Sequence, residues 1–438
     1  MKRRSRRIDT DLAVIGTGIA GFAASLFACR RGLEVAQFGH SGAMAYTTGY
    51  LDLLGVQDGR VLDDPWDGLG ALRRETPEHP LARLPDETIR TAFGLFTEAL
   101  TEMGLGYTAP GERNLRALLP NGLVKSTLSV PQTMLPGCEA LAQRARTLVL
   151  DFDGLQGFSA RAFEANLAER WPGLSSARLT FPGMEDRQVF PEVMARALET
   201  RQTREALVDL IRPQLDGAEY VGLPAILGMQ APDRIRTEME AALGATLFEI
   251  PTIPPAVPGI RLREGFERTM PERGVTLDPV LKVSRVRFGA AGATLTLHGA
   301  MEDIEVEARA VLLATGRFLS GGLRADRTQV SETLLGLPIR QTESRNDWYR
   351  KDYFDPAGHP VNRLGIEVDA SFRPVDAAGD PVQDTLFSAG AILAHQDWVR
   401  QRCGAGLAIA SAYAAVDSAA AHLTPEGQPP DRSVRSDR

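Results

Sequence analysis

A strand, a glycine turn and a helix follow one another without a break in Asp11-Leu-Ala-Val-Ile-Gly16-Thr17-Gly18-Ile19-Ala20-Gly21-Phe-Ala-Ala-Ser-Leu-Phe-Ala. The spacing is G-x-G-x-x-G. Gly16 permits the tight turn, Gly18 lets the main chain approach a pyrophosphate, and Gly21 lets the helix pack close to the strand. A phosphate would sit on the free N–H groups and positive end of the helix that opens near Ile19. The apolar strand before the motif and the alanine-rich helix after it supply the context that an isolated match lacks, so residues 16–21 are expected to bind a nucleotide or flavin. The opposing reading is a glycine turn that only closes a strand–helix junction.

A chain of 438 residues has room for two or three domains, and 43% hydrophobic with 24% charged residues is the balance of a globular protein. The net charge of -7 argues against nucleic acid as a partner. Cys29, Cys138 and Cys403 lie far apart and form no C-x-x-C pair, so neither an iron–sulfur cluster nor a metal site is expected on this chain. Residues 1–7, Met-Lys-Arg-Arg-Ser-Arg-Arg, run straight into the first cofactor strand with no apolar stretch between. They are read as a solvated basic arm and not a signal segment, with weak attraction to an anionic membrane surface or an acidic partner as the alternative. No run of about 18 apolar residues occurs, and the expected location is the cytoplasm.

Gly32–Phe38 reads as the second parallel strand. In folds of this kind it commonly ends in an acid that binds ribose hydroxyls, and Phe38 stands at that place. The loop Gly39–Leu54 carries His40, Ser41, Thr47, Thr48 and Gly49, whose N–H and side-chain groups suit flavin or phosphate oxygens; a polar surface loop is the alternative. Residues 56–300 change character, with proline joints, a helix over Asp86–Met103 capped by Asp86, and strand-like runs at Leu123–Val130 and Thr147–Phe152. Within them, Pro251–Leu262 holds four prolines ahead of a helix bearing Arg261, a rigid frame that suits anion recognition or a stiff connector.

The first pattern returns at Ile304–Gly316, a strand ending in Ala314-Thr315-Gly316, followed by Arg317 and a second glycine loop at Ser320–Gly322. Asp384–Ala391 is the last core strand. Cys403-Gly404-Ala405-Gly406-Leu407 opens the final helix, whose positive end would face a flavin's pyrimidine edge. After Gly390, where many such proteins place Asp, stands Ala391. The chain is therefore expected to be α/β, a two-segment Rossmann-like FAD/NAD(P)-binding domain (8–55 and 301–422) with a large inserted α+β domain (56–300) and a disordered tail (423–438). His395, between the last strand and the last helix, is the best candidate base, against the reading of a loop histidine without a role. Arg261 and Arg317 are candidates for binding phosphate or flavin anion. Arg345, Trp348, Tyr349 and Tyr353 suit a partner surface, a substrate wall or simple packing.

These stretches resemble the B-subunit family of anaerobic glycerol-3-phosphate dehydrogenase. The likeness rests on Gly16-x-Gly18-x-x-Gly21, Thr48-Gly49-Tyr-Leu51-Asp52-Leu53-Leu54, Pro251-Thr-x-Pro-Pro-x-x-x-Gly259-Ile-Arg261-Leu262, Ser320-Gly-Gly322-Leu, Trp348-Tyr349 and Cys403-Gly404-x-Gly406, in order along nearly the whole chain. It departs from the family's glycine-rich pattern at Arg402 and Ala405. The resemblance implies FMN (or FAD) here, a larger FAD-containing catalytic subunit, and an iron–sulfur, membrane-anchoring third subunit. It implies oxidation of glycerol 3-phosphate to dihydroxyacetone phosphate, with quinone as final acceptor and the complex held at the inner face of the cell membrane. Alternatives are a succinate/fumarate-type flavin oxidoreductase, a subunit that only relays electrons, and a structural subunit with an empty cofactor fold.

Overall fold

The computed structural model describes residues 4–40, 42–299 and 302–424. Ser41, residues 1–3 of the basic arm and residues 425–438 of the tail lie outside the described residues.

The organising sheet has seven strands. Numbered along this unit, its elements are β1 (Arg4–Ile15), α1 (Ile19–Arg30), β2 (Val35–Phe38), β3 (Thr276–Asp278), β4 (Val283–Gly289), β5 (Gly292–His298), β6 (Glu302–Leu313), β7 (Leu386–Ser388) and α2 (Gly404–Leu423). β3, β2, β1 and β6 lie side by side and parallel. β6 then forks: its last residues, Val311–Leu313, pair in parallel with β7, while its earlier part pairs antiparallel with β5 and so with β4. Leu12–Ile15 at the centre are almost wholly buried, the unbroken apolar run of a strand covered on both faces.

α1 and α2 explain what covers it. Both are apolar nearly all round, which is stable only for a helix enclosed by neighbours. They pack against each other, and Phe22 of α1 stacks on Phe266 at 5.0 Å, with Phe96 tilted against the same ring at 5.6 Å. The helices Asp86–Glu102 and Val257–Glu272 thus clamp the sheet from the inserted segment. The first of these begins at Asp86 itself, with Pro85 as its N-cap and no side-chain cap bond. Asp86, expected as the cap, sits inside the first turn, where its charge meets the helix dipole and Arg73 at 2.6 Å.

The sheet departs from the expected layout in two places. Arg4–Arg7, expected as a solvated arm, extend β1 in register with Glu302–Glu305, which sets Arg7 beside Glu305. β3, β4 and β5, expected inside the insertion, join the cofactor-type sheet, because β2 and β6 each offer an open edge that must be paired. The insertion mixes both kinds of pairing. Its main sheet is parallel throughout, in the order Thr246–Ile250, Tyr220–Pro224, Thr147–Phe152, Leu174–Leu179, while Leu115–Leu118 and Val124–Thr127 form an antiparallel hairpin. No helix among the described residues is long and apolar enough to cross a membrane.

Candidate functional site

Three turns meet where β1, β6 and β7 end. Gly16 has φ +137°, and a Cβ there would stand 2.2 Å from the Ala314 carbonyl oxygen. A Cβ on Gly21 would lie 2.1 Å from the Gly16 oxygen. The turn after β1 is therefore held between α1 and the Ala314-Thr315-Gly316 turn by contacts that only hydrogen atoms allow. Gln37, wholly buried in β2, donates to the Gly16 carbonyl at 2.8 Å and accepts from the Ser25 hydroxyl at 2.8 Å. Gly390 closes the third turn: its N–H donates to Ser411 of α2 at 2.8 Å, and a Cβ on it would meet Ala20 of α1 at 2.7 Å. Ser411 is about 10 Å along the helix from Gly404. Gly390 thus ties the start of α1 to the body of α2, while Gly16 and Gly21 join the turn after β1 to α1 and to Ala314.

No side chain among the described residues caps either helix, Gly18 and Cys403 being the N-cap residues. At α2 the expected contacts divide. Gly404 and Ala405 stand in the first turn, with the Trp398 ring 3.1 Å from where a Gly404 Cβ would be. The Gly406 N–H instead donates to the Asp52 carbonyl at 2.6 Å, and the Leu407 N–H to the Cys403 carbonyl at 2.8 Å, so both are spent within the protein.

The loop after β2 also divides. Phe38 is core, 1% exposed, and the next residue, Gly39, lies against Thr17, where a Cβ would approach within 2.7 Å. Neither supplies a carboxylate. His40 turns away, its Nδ1 bonded to the Val280 carbonyl at 3.2 Å. Met44–Gly49 rest on the helix Val257–Glu272: the Ala256 N–H donates to the Ala45 carbonyl, and Tyr107 donates to the Gly49 carbonyl at 2.8 Å. Thr47 and Thr48 accept from the N–H groups of Gly49 and Tyr50, which leaves each hydroxyl its own proton to donate.

The two candidate arginines have opposite surroundings. Arg261, expected to meet an anion, is buried and bound to Glu249 through both terminal nitrogens at 2.6 and 2.7 Å, with Nε on the Gly228 carbonyl at 2.8 Å. Glu249 also accepts from Thr133 and from the Leu227 N–H, both at 2.7 Å. Burial pushes the Glu249 carboxyl up, but Arg261 and these donors outweigh it and hold it below the usual range. Arg261 is a structural tie in the insertion. Arg317 instead donates to the Leu364 and Val361 carbonyls at 2.6 and 2.9 Å, and no carboxylate pairs with it among the described residues. Burial pulls it down to about 10, against the charge of Asp397, which pushes it up. Arg317 is thus a half-buried guanidinium held by two carbonyls, one residue beyond the Ala314–Gly316 turn, with no carboxylate in contact among the described residues.

His395 has φ +64°, its N–H donates to the Arg363 carbonyl at 2.9 Å, and Nε2 hydrogen-bonds Glu367. The loop Val361–Glu367 therefore carries both the carbonyls that hold Arg317 and the carboxylate that holds His395. Sequence reasoning misses Glu367 because 28 residues separate it from His395. His79, also missed, is wholly buried beside them, its Nδ1 accepting from the Leu81 N–H at 3.1 Å and Nε2 on Gln401 at 3.3 Å. Of the aromatic stretch, Trp348 is core, whereas Tyr349 and Tyr353 are exposed.

Burial pulls His79 from 6.5 down to about 4, with the Gln401 bond opposing and His395 and Arg363 assisting. The unfolded chain takes a proton on this ring below about 6.5 and the folded chain only below about 4, so stability is complete above 6.5 and falls as pH drops between the two. The loss reaches roughly 3 kcal/mol. Thermal melts of His79→Gln are expected to lose less stability than wild type from neutral pH down to about pH 4; parallel losses would refute this.

The fit to a flavin is supported by atoms of this chain. Thr315 Oγ1 at the central turn and Ser388 Oγ at the end of β7 are buried with no hydrogen-bond partner among the described residues, and no side chain among them caps the start of α1 or of α2.

Comparison with known proteins agrees. The family described as FAD binding domain matches residues 11–407. The anaerobic glycerol-3-phosphate dehydrogenase B-subunit of Vibrio cholerae (strain O395) is 30% identical over 436 residues, covering 96% of this chain and 98% of that protein. The protein of the same name from Aliivibrio fischeri (strain ES114) is 28% identical, covering 94% and 95%. Among solved structures, the 3-ketosteroid delta1-dehydrogenase of Sterolibacterium denitrificans is similar at 13% identity and a TM-score of 0.44, over 94% of this chain and all of that one. With its glycine turns at the ends of the central strands and its likeness running from end to end, the chain belongs to the FAD-binding-domain proteins and, among them, to the B-subunit family of anaerobic glycerol-3-phosphate dehydrogenase.

Proposed function

We propose that this chain is the flavoprotein subunit of a glycerol-3-phosphate:quinone oxidoreductase and that its own cleft oxidises glycerol 3-phosphate to dihydroxyacetone phosphate. The observation that carries this reading is Arg317, a half-buried guanidinium with no carboxylate partner among the described residues, on the same loop framework as His395. Residues 8–55 and 276–422 form the cofactor domain, and 56–275 the insertion that faces substrate and partners.

Residues Gly16, Thr17, Gly18, Ile19, Ala20 and Gly21 hold the cofactor's phosphate, and Ala314, Thr315, Gly316, Gly390, Ala391, Gly404 and Ala405 border its ring. Bound there, a flavin supplies the acceptor for the hydride that leaves carbon 2 of the substrate. His395 takes the proton of the carbon-2 hydroxyl, and Arg317 binds the phosphate. The absence of a carboxylate at Phe38 and Gly39 favours FMN over FAD, since an adenosine ribose would find no acid after β2. The relatives are named as one subunit of an enzyme, which supports a complex. We place in it a larger FAD-containing subunit and an iron–sulfur subunit that holds the complex at the inner membrane face and passes electrons to quinone.

Denaturing the native protein and chromatographing what is released identifies the cofactor. Anaerobic mixing of the holoprotein with glycerol 3-phosphate is expected to bleach its flavin; bound flavin that stays oxidised would move the oxidation to a partner, and a colourless protein would end the reading. Arg317→Ala is expected to raise KM for glycerol 3-phosphate about ten- to hundredfold, the worth of a lost charge-assisted bond. An unchanged KM in folded variant would remove Arg317 from the site.

A further inference from the structure

We propose that Glu367 is the positioning residue of this site: it holds His395 as the Nε2–H tautomer and leaves Nδ1 as the nitrogen that accepts a proton. The inference deepens the reading of His395 as proton acceptor and rests on it.

The geometry is specific on three sides. A neutral imidazole has one N–H and one lone pair, and which nitrogen keeps the proton is set by the bond the other element offers it. Glu367 offers a carboxylate oxygen to Nε2, and an ionised carboxylate only accepts. The proton is therefore fixed at Nε2. Nδ1 has no hydrogen-bond partner among the described residues, and the side chain keeps 21% of its surface open. The backbone is fixed as well, since His395 adopts φ +64° and its N–H is held by Arg363 while the Ala394 N–H is held by the Ile366 carbonyl at 3.0 Å. A residue in this conformation is retained where its surroundings over-determine it.

Glu367 is itself fixed. Its second oxygen pairs with Arg83 at 3.1 Å, and Arg83 also donates to the Val368 carbonyl. Arg340 adds a further positive charge. Burial pushes the Glu367 carboxyl up, but His395, Arg83 and Arg340 together hold it below the usual range, so it is ionised at neutral pH. His79, kept neutral by burial, is close enough to His395 to feel its charge, and Arg363 acts on His79 from the same side-chain cluster. The carboxylate thus fixes the ring's orientation and stabilises the imidazolium formed when Nδ1 takes a proton, as an orienting carboxylate does in other His-based proton acceptors.

The test uses the full-length holoprotein with isotope-labelled histidine, His395→Gln identifying the resonance. In wild type the neutral ring is expected to show the Nε2–H tautomer by nitrogen chemical shift. In Glu367→Gln, whose amide can donate as well as accept, that preference is expected to weaken about tenfold in the ratio of Nε2–H to Nδ1–H ring, with the Glu367→Asp variant recovering part of it. A tautomer ratio unchanged in Glu367→Gln would overturn the proposal and leave the pair as a structural tie, which would show only as a lower melting temperature. Flavin reduction by glycerol 3-phosphate tests the separate reading: Glu367→Gln is expected to lower its maximal rate about tenfold or more with little change in KM, as loss of proton-acceptor positioning requires. If wild type reduces no flavin while the tautomer ratio responds to Glu367→Gln, the oxidation lies elsewhere and the positioning of His395 stands.

Discussion

Glu249→Ala is expected to destabilise the protein by about 3–5 kcal/mol, a loss that few single substitutions in this chain should match. Removing the carboxylate strands the Arg261 guanidinium in a site where it is 4% exposed and where its other partner is one backbone carbonyl. It also leaves the Thr133 hydroxyl and the Leu227 N–H without their acceptor. The pair joins Thr246–Ile250 of the parallel sheet to the helix Val257–Glu272, so its loss is felt across the insertion. Urea unfolding measures it. Replacing both partners, Glu249→Leu with Arg261→Met, should recover much of the loss, because the expense lies in the orphaned charge and not in the missing attraction. A Glu249→Ala loss below about 1 kcal/mol would mean that the guanidinium finds water, contrary to its burial.

Gly16→Ala is expected to lower flavin content at least about tenfold, with a stability loss of about 1–3 kcal/mol from the strained backbone. The φ of +137° is closed to an L side chain, and the added carbon would stand 2.2 Å from the Ala314 oxygen. Either the turn or the Ala314–Gly316 segment must move, and both belong to the proposed cofactor site. The ratio of flavin to protein absorbance after purification, with a fluorescence titration of the stripped protein, measures the change. Full flavin content in Gly16→Ala would show that this turn is not the phosphate cradle. The two substitutions separate the halves of the molecule: Glu249→Ala should lose stability while its folded fraction keeps its flavin, and Gly16→Ala should lose flavin out of proportion to stability.

The strand, turn and helix at residues 11–28 are legible in the sequence because every contact that requires Gly16 and Gly21 lies in or next to that stretch or the turn that meets it. The second parallel strand and the alanine-rich last helix are legible for a related reason: a segment apolar on all sides has nowhere to go but the interior. The layout of the sheet is not. β3, β4 and β5 alternate like any half-buried strands, and nothing in their residues says which sheet they join; the open edges of β2 and β6 decide it.

Arginine and histidine show the same division at the site. From the chain alone, Arg261 and Arg317 are equal candidates, one after a proline-rich run and one after a glycine turn. Their roles differ because Glu249 lies within reach of one and no carboxylate among the described residues pairs with the other. His395 stands out by its place before the last helix, but its partner, 28 residues earlier, is invisible to any local spacing. The sequence by itself determined the cofactor turn, the two enclosed helices and the family resemblance, since those rest on local geometry and on the order of motifs. Which charges are neutralised and which stand free was decided only by tertiary structure, because the energy of a buried charge depends on neighbours that distant parts of the chain bring to it.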